Sequence, residues 1–503
     1  MTESTASPTT KPKRVEPLDR SLLATLGVLI AGSLMVVLDI TILSVAIGQL
    51  AGEFDAPLPK VQWAITGYTL ALAGAIPTTA WSVARWGSKR VYLAAVAVFV
   101  ASSLLAGAAW SLESLVAFRV LQGLGGGLLT PVAMTIVLRT ARPAQRGRAM
   151  ALLGLPVLIG AVTGPTLGGW LLDTASWRWI FWVNVPIGLL ALALGTRILP
   201  ADTNSRPHPL DRAGLLLLSP GLAAVLYGLT RLGETGDIDL RGMFPVLAGA
   251  VMVAWFAHRA TRRPDPLVAV ALLRRRELAA GAGILLGFSA AYFRSAILAP
   301  LYFQLGRGES ATTSGLLLIP QAVATGLSMQ VAGRLIDRIP PAHVVTSGIA
   351  VSVTGFGLFA LLLGPDTSYL ALTGALSLAG VGVGATLMPT ITTATRQLSH
   401  DDTPSGSTLL NIVSQVATAI GAVAVSVLLA GRLTANLPAR VSDLATLYAT
   451  TPAERAAVAE PLATAFQITY VLPISLMLLA LVIAIALLPR PRRGPDRGSE
   501  PPL

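Results

Sequence analysis

The chain has 503 residues, 53% of them hydrophobic and only 12% charged, with a mean hydropathy of +0.69. A soluble chain carries about 25% charged residues, so a large soluble enzyme is excluded. Cysteine is absent, which removes disulfides, thiolate catalysis and cysteine-based metal sites together. The net charge of +12 sits in short loops and tails rather than along one face, which argues against nucleic acid as a partner.

The first 21 residues are polar and rich in Pro and Thr, with Lys11, Lys13, Arg14 and Arg20 ahead of an apolar run. That run is longer than the core of a signal peptide, and others follow it, so it reads as an uncleaved span. A helix needs about 20 apolar residues to cross roughly 30 Å of hydrocarbon. Windows of that length fall at 22–46, 62–83, 91–110, 114–138, 149–172, 179–199, 212–231, 242–260, 278–304, 313–333, 343–364, 369–394, 407–431 and 465–488. The pattern predicts an all-α membrane protein with 14 transmembrane helices. Pro220 and Pro245 interrupt the seventh and eighth windows, which membranes tolerate because neighbouring helices satisfy the freed backbone groups.

An even number of spans puts both termini on one side. Most of the 37 Lys and Arg then share that side, and Lys60, Arg178, Arg231, Arg241, Arg307, Arg432, Arg440 and Arg455 lie on the other. Basic loops stay inside, so both termini are expected in the cytoplasm, with the lipid bilayer around the spans. Residues 258–277 hold six arginines and read as a central cytoplasmic linker. The Ala-rich external segment 432–464, with Pro438, Pro452 and Pro461, reads either as a short surface helix or as a plain connector.

The halves repeat. Ala80 to Arg90 after the second window is matched by Gly333 to Arg338 after the tenth, 253 residues on. Gly123, Gly125, Gly127 and Pro131 in the fourth window are matched by Gly380, Gly382, Gly384 and Pro389 in the twelfth, with the glycines 257 residues on. Both offsets equal eight spans. Two six-helix pseudo-symmetric bundles are therefore expected at 22–200 and 278–488. A helix pair and basic linker at 201–277 separate them, between cytoplasmic tails at 1–21 and 489–503.

Three charged side chains lie deep in the windows: Asp39, Arg119 and Arg294. An ionisable group at bilayer depth costs several kcal/mol, about 2.5–3.5 on insertion scales, and where one persists it usually marks an ion or substrate path. Asp39 is the one carboxylate inside any window, so it is the natural counter-ion for Arg119. Such a pair either couples proton uptake to a change of contacts or merely fixes helix register. Arg294, near Tyr292, Phe293 and Tyr302, either meets an anionic group of a cargo or assists Asp39, unless it snorkels to the headgroups. Trp63, Tyr68, Gln122, Gln321, Asn411 and Gln415 are candidate cavity residues; the last two share a helix face.

These motifs resemble the major facilitator superfamily, and within it the fourteen-span drug:proton antiporter branch. The most specific string is Gly160-Ala-Val-Thr-Gly164-Pro165-Thr-Leu-Gly168-Gly169, similar to the family's antiporter motif, which the resemblance implies packs against the opposite bundle. Arg119-Val-Leu-Gln122-Gly123 is similar to its fourth-span signature, and Asp39 with Thr41 to its first-span motif. Arg85, Gly87 and Lys89 match its cytoplasmic gating loop, but the acidic position is Ala84, so Asp337 beside Arg338 in the second copy is a candidate substitute. The resemblance implies export of a small amphipathic substrate in exchange for protons, by alternating access, across a bacterial cell membrane.

Two other readings stay open. A proton-coupled importer shares the fold but not the antiporter string. A membrane enzyme needs a catalytic or metal set, yet the four histidines lie in or beside cytoplasmic loops without metal-ligand spacing. The Gly123–Gly127 run sits inside a span without a phosphate-binding Lys, so neither ATP nor another cofactor or metal is expected.

Overall fold

The computed structural model describes residues 18–201, 209–235, 239–336, 338–399, 401–438, 447 and 451–488; a few side chains within helices, Arg294's among them, lie outside the described set. Helices follow the predicted windows in order, and the described residues include no strand. They are α1 (Arg20–Glu53), α2 (Trp63–Ala75 with Thr79–Trp86), α3 (Ser88–Gly107), α4 (Leu112–Thr140), α5 (Arg146–Thr174) and α6 (Trp179–Ile198). After them come α7 (Arg212–Thr235) and α8 (Leu240–Ala260), then α9 (Arg276–Leu301), α10 (Ala311–Leu335), α11 (Pro341–Leu362), α12 (Tyr369–Thr395), α13 (Thr403–Asn436) and α14 (Pro452–Leu487). Eleven helices among the described residues are long and apolar enough to cross a membrane.

The structure departs from the sequence reading at three places. Helix α2 tightens into a 3₁₀ turn at Ile76–Thr78, where Pro77 has no N–H to continue the ladder. Pro220 and Pro245 lie inside unbroken helices. Of the segment 432–464, read as a connector or a short surface helix, the described residues are mostly helix, because α13 runs on to Asn436 and α14 already starts at Pro452. Alanine is the strongest helix former, proline is accommodated in a first turn, and Thr451 with Glu454 closes a capping box on α14.

Packing gives the repeat its physical content. In the first half α1 packs on α5 and α6, α2 on α4, and α3 on α4 and α6; in the second α9 packs on α13 and α14, α10 on α12, and α11 on α12 and α14. The repeated glycines sit at matching contacts. A Cβ on Gly123 or Gly127 would lie 2.3 or 2.2 Å from the Tyr68 or Leu72 carbonyl of α2, and one on Gly125 would lie 2.9 Å from Ala95 of α3. In the copy, a Cβ on Gly380 or Gly384 would lie 2.5 or 2.2 Å from the Gln321 or Thr325 carbonyl of α10, and one on Gly382 would lie 2.2 Å from the Ser352 N of α11. A side chain at any of these positions would push two backbones apart, which is how small residues drive helix association where lipid supplies no hydrophobic force.

Helices α7 and α8 form a hairpin of their own, with Gly221 against Gly249 and Gly228 against Gly242. Through α7 it rests on α2 and α13, one helix from each bundle. Among the described residues, the bundles interlock in one apolar cluster over one half. A single apolar cluster joins Met134, Val137, Met150 and Leu153 to Leu278, Leu285, Ile391 and Leu410, near the N-terminal end of α1. Across the other half the two bundles form separate clusters among the described residues.

Candidate functional site

Two features meet at mid-depth. A cavity of about 260 Å³ lies between the bundles, lined by apolar groups that include Met134, Met329, Met388 and Leu285, with Thr130, Thr325, Tyr292, Asn411 and Gln415 supplying polarity. Among the described residues its lining holds no charged side chain. Methionine is flexible and polarisable and accommodates varied shapes. Asn411 and Gln415 reach this cavity as their spacing predicted; Asn411 Nδ2 also donates to the Ser407 carbonyl at 3.1 Å and contacts Met134 Sδ of the other bundle at 3.3 Å.

Beside it, sealed inside the first bundle, is a buried polar cluster. Asp39 on α1 and Arg119 on α4 are 2% and 0% exposed, with Arg119 Nη1 2.5 Å from Asp39 Oδ2. Asp39 Oδ1 accepts from Gln122 Nε2 at 2.8 Å and Asn184 Nδ2 at 3.2 Å. Arg119 also donates to Gln122 Oε1 at 2.7 Å and, through Nε, to the Ala64 carbonyl at 3.1 Å, while its guanidinium carbon lies 4.1 Å from the Tyr68 ring centre. Ser103 accepts from Gln122 at 2.8 Å and donates to the Phe181 carbonyl. Five helices thus converge on one carboxylate. A charge pair taken out of water is tolerable only when its remaining lone pairs and protons are satisfied, and this cluster supplies those partners.

Sequence reasoning found Asp39 and Arg119; it expected Gln122 in the cavity, whose lining does not include it, and missed Ser103 and Asn184 in this role. A serine or asparagine in a span is common, and only the meeting of α3 and α6 with α1 sets these two apart.

Other predicted residues go elsewhere. Thr41 does not reach the cavity: its hydroxyl donates to Val37 and, across to α5, to the Gly160 carbonyl at 3.1 Å. Trp63 also misses the cavity and stacks on Tyr227 of the α7–α8 hairpin at 5.8 Å. Tyr68 belongs to the buried cluster rather than the cavity wall. The side chain of Arg294 and the whole of Asp337 lie outside the described residues.

The antiporter string requires a correction. Gly160, Gly164 and Gly168 face α1 of their own bundle, where added Cβ atoms would meet Val37, Thr41 and Ile42. The opposite bundle instead touches the other half of α5, where Gly333 and Met329 of α10 press on Ala151 and Gly154. Gly169 has open space around it, and the Pro165 side chain is outside the described set. In the gating loop, Gly87 takes φ +86° between α2 and α3, a conformation suited to glycine. Lys89 donates to the Thr196 and Leu199 carbonyls at the end of α6, so it caps a helix of its own bundle. Arg85 and Arg338 are exposed.

Comparison with known proteins agrees with this architecture. Residues 29–422 match the family model described as Major Facilitator Superfamily. The chain is 39% identical over 416 residues to the multidrug resistance protein B homolog of Mycobacterium tuberculosis, covering 82% of this chain and 77% of that one. It is 30% identical over 406 residues to the multidrug export protein EmrB of Haemophilus influenzae, with 80% and 79% covered. Among solved structures, the proton:xylose symporter XylE superposes with a TM-score of 0.61 at 11% identity, over 93% of this chain and 96% of that one. The human organic anion transporter MFSD10 gives 0.59 at 16%, over 92% and 100%. Two repeated bundles around a central cavity and a family match spanning most of the sequence lead to one conclusion: the chain belongs to the major facilitator superfamily and is a multi-pass membrane transporter.

Proposed function

We propose that the protein is a proton-driven exporter of amphipathic organic compounds in the bacterial cytoplasmic membrane. It spans the bilayer fourteen times with both termini inside. The observation that carries the coupling is the buried Asp39–Arg119 pair beside an uncharged, methionine-rich cavity. A proton arriving from outside would neutralise Asp39 and leave Arg119 without its anion, changing the contacts of five helices at once. Cargo binds next door, among Asn411, Gln415 and the apolar walls, so neither partner needs to share an atom with the other. Drug export is supported by the relatives named for multidrug resistance and export.

With the arginine-rich ends inside, the interlocked half of the bundles is the cytoplasmic one. The conformation is then the outward-facing arm of an alternating-access cycle. The inward arm requires the contacts of α5 with α10 and of α4 with α13 to part.

Inverted membrane vesicles test this directly. Acidifying their interior should drive uptake of at least one of ethidium, chloramphenicol and lincomycin. Asp39→Asn should reduce that uptake to the level of empty vesicles, with the protein still inserted in normal amount. Uptake by Asp39→Asn at the wild-type rate would remove Asp39 from the coupling, and efflux in place of uptake would favour an importer.

A further inference from the structure

Tyr68 stands between the charge pair and the cavity. The Arg119 guanidinium carbon sits over its ring, 4.1 Å from the ring centre. The side chain is fully buried, and its hydroxyl has no hydrogen-bond partner in the protein. That hydroxyl points at Gly126, where a Cβ would lie 2.8 Å from it. Gly126 lines the cavity, as does Leu72, one turn further along α2 from Tyr68. One glycine therefore separates an unsatisfied hydroxyl from the cargo space. A buried hydroxyl left unbonded costs about 1–3 kcal/mol, a cost that a purely structural tyrosine avoids by being phenylalanine.

We infer that Tyr68 is the positioning residue that carries the protonation state of the pair to the cavity wall. The inference rests on the proposed proton coupling. With Asp39 ionised, Arg119 is held between the carboxylate and the Tyr68 ring. When a proton from outside binds the carboxylate, Arg119 loses its anion, and the ring is the electron-rich partner that remains. Guanidinium and ring shift together, and the hydroxyl moves against Gly126 and the wall behind it. Cargo pressing on that wall acts back through the same ring, as reciprocal coupling between two sites requires. Among the described residues, the charged or titratable groups facing this ring are Asp39 and Arg119. Helices α3 and α6 present Phe99, Ser103, Phe181 and Asn184 to the cluster.

The natural absence of cysteine allows a test without cargo. Spin labels at Glu113→Cys and Asp366→Cys, two exposed sites on opposite bundles, report the distance between bundles in purified protein at mildly acidic and mildly alkaline pH. The otherwise wild-type pair should change distance with pH, and Asp39→Asn should abolish the change. Tyr68→Phe should weaken the pH response by roughly fivefold or more, at the low end of allosteric couplings. Gly126→Ala, which occupies the space of the hydroxyl, should weaken it as well and decides the matter if Tyr68→Phe does not fold. A full response in both variants, with Asp39→Asn unresponsive, overturns the role of Tyr68 and leaves the coupling intact. A response that survives Asp39→Asn overturns the coupling itself, and this inference with it.

Discussion

Gly164 and Gly169 belong to one short string, yet they occupy opposite situations. A Cβ on Gly164 would sit 1.9 Å from Thr41 Oγ1, whereas one on Gly169 meets nothing within 4 Å. Gly164→Ala should therefore destabilise the first bundle by about 1–3 kcal/mol, the usual range for overpacking. Gly169→Ala should be neutral or slightly stabilising, since alanine favours helix over glycine. Thermal melts of the purified variants check the contrast, and equal losses would show that the string does not pack on α1. The spacing of these glycines was legible in the sequence. Which helix they face was not, because a small-residue face fits any partner and only the arrangement of the bundle selects one. The same holds for Trp63, whose ring is as suited to a cavity as to the Tyr227 ring it stacks on.

The helix hairpin α7–α8 shows how an inserted element is fixed. Asp211, just before α7, is buried and takes both oxygens to Arg259 Nη1 at the end of α8, at 2.8 and 2.9 Å. It also caps Gly214 and lies 3.4 Å from Arg263. Burial opposes its charge, but the Gly214 N–H, Arg259 and Arg263 outweigh burial and hold the carboxyl below its ordinary value. An acid held low stabilises the fold while ionised. Its contribution is present above the ordinary carboxylate value, about pH 4, and is lost as pH falls through the lower native value. Asp211→Asn should cost about 1–2 kcal/mol at neutral pH, a discounted figure because both arginines are partly exposed. The difference from wild type should close in strongly acidic solution. Melting both proteins across pH tests this; a gap unchanged at low pH would mean that packing, not charge, holds the hairpin. The sequence marked the 258–277 linker as basic but did not single out Asp211, which precedes α7 in a polar segment that also holds Asp202, Arg206 and Arg212.

Over the whole molecule, the conformation depends on one interlocked half. Thr135 Oγ1 of α4 and Ser407 Oγ of α13 lie 3.0 Å apart across the two bundles. Side-chain tips this close bring two cysteine sulfurs at these positions within reach of a bond of about 2.05 Å. In the cysteine-free chain, Thr135→Cys with Ser407→Cys should crosslink under oxidation, stop transport, and recover on reduction. Transport unaffected by complete crosslinking would mean that these helices never separate, and alternating access about this interface would fail. The duplication was readable from two offsets, because close helix approach demands glycine at the same places in both copies. The closed half was not readable, since each span is apolar along its length and hydropathy does not say which ends meet the other bundle.

The order of the helices, their division into a repeated pair of bundles, and the presence of an acid and a guanidinium at bilayer depth follow from the sequence alone. Hydrocarbon imposes span length and makes every interior charge conspicuous. Tertiary structure alone decided that Ser103 and Asn184 complete the Asp39 cluster, that the antiporter glycines grip α1, and that Tyr68 stands behind Gly126. Those facts depend on which helix faces meet, and in a chain apolar on nearly every face the pattern of hydrophobicity carries little information about facing.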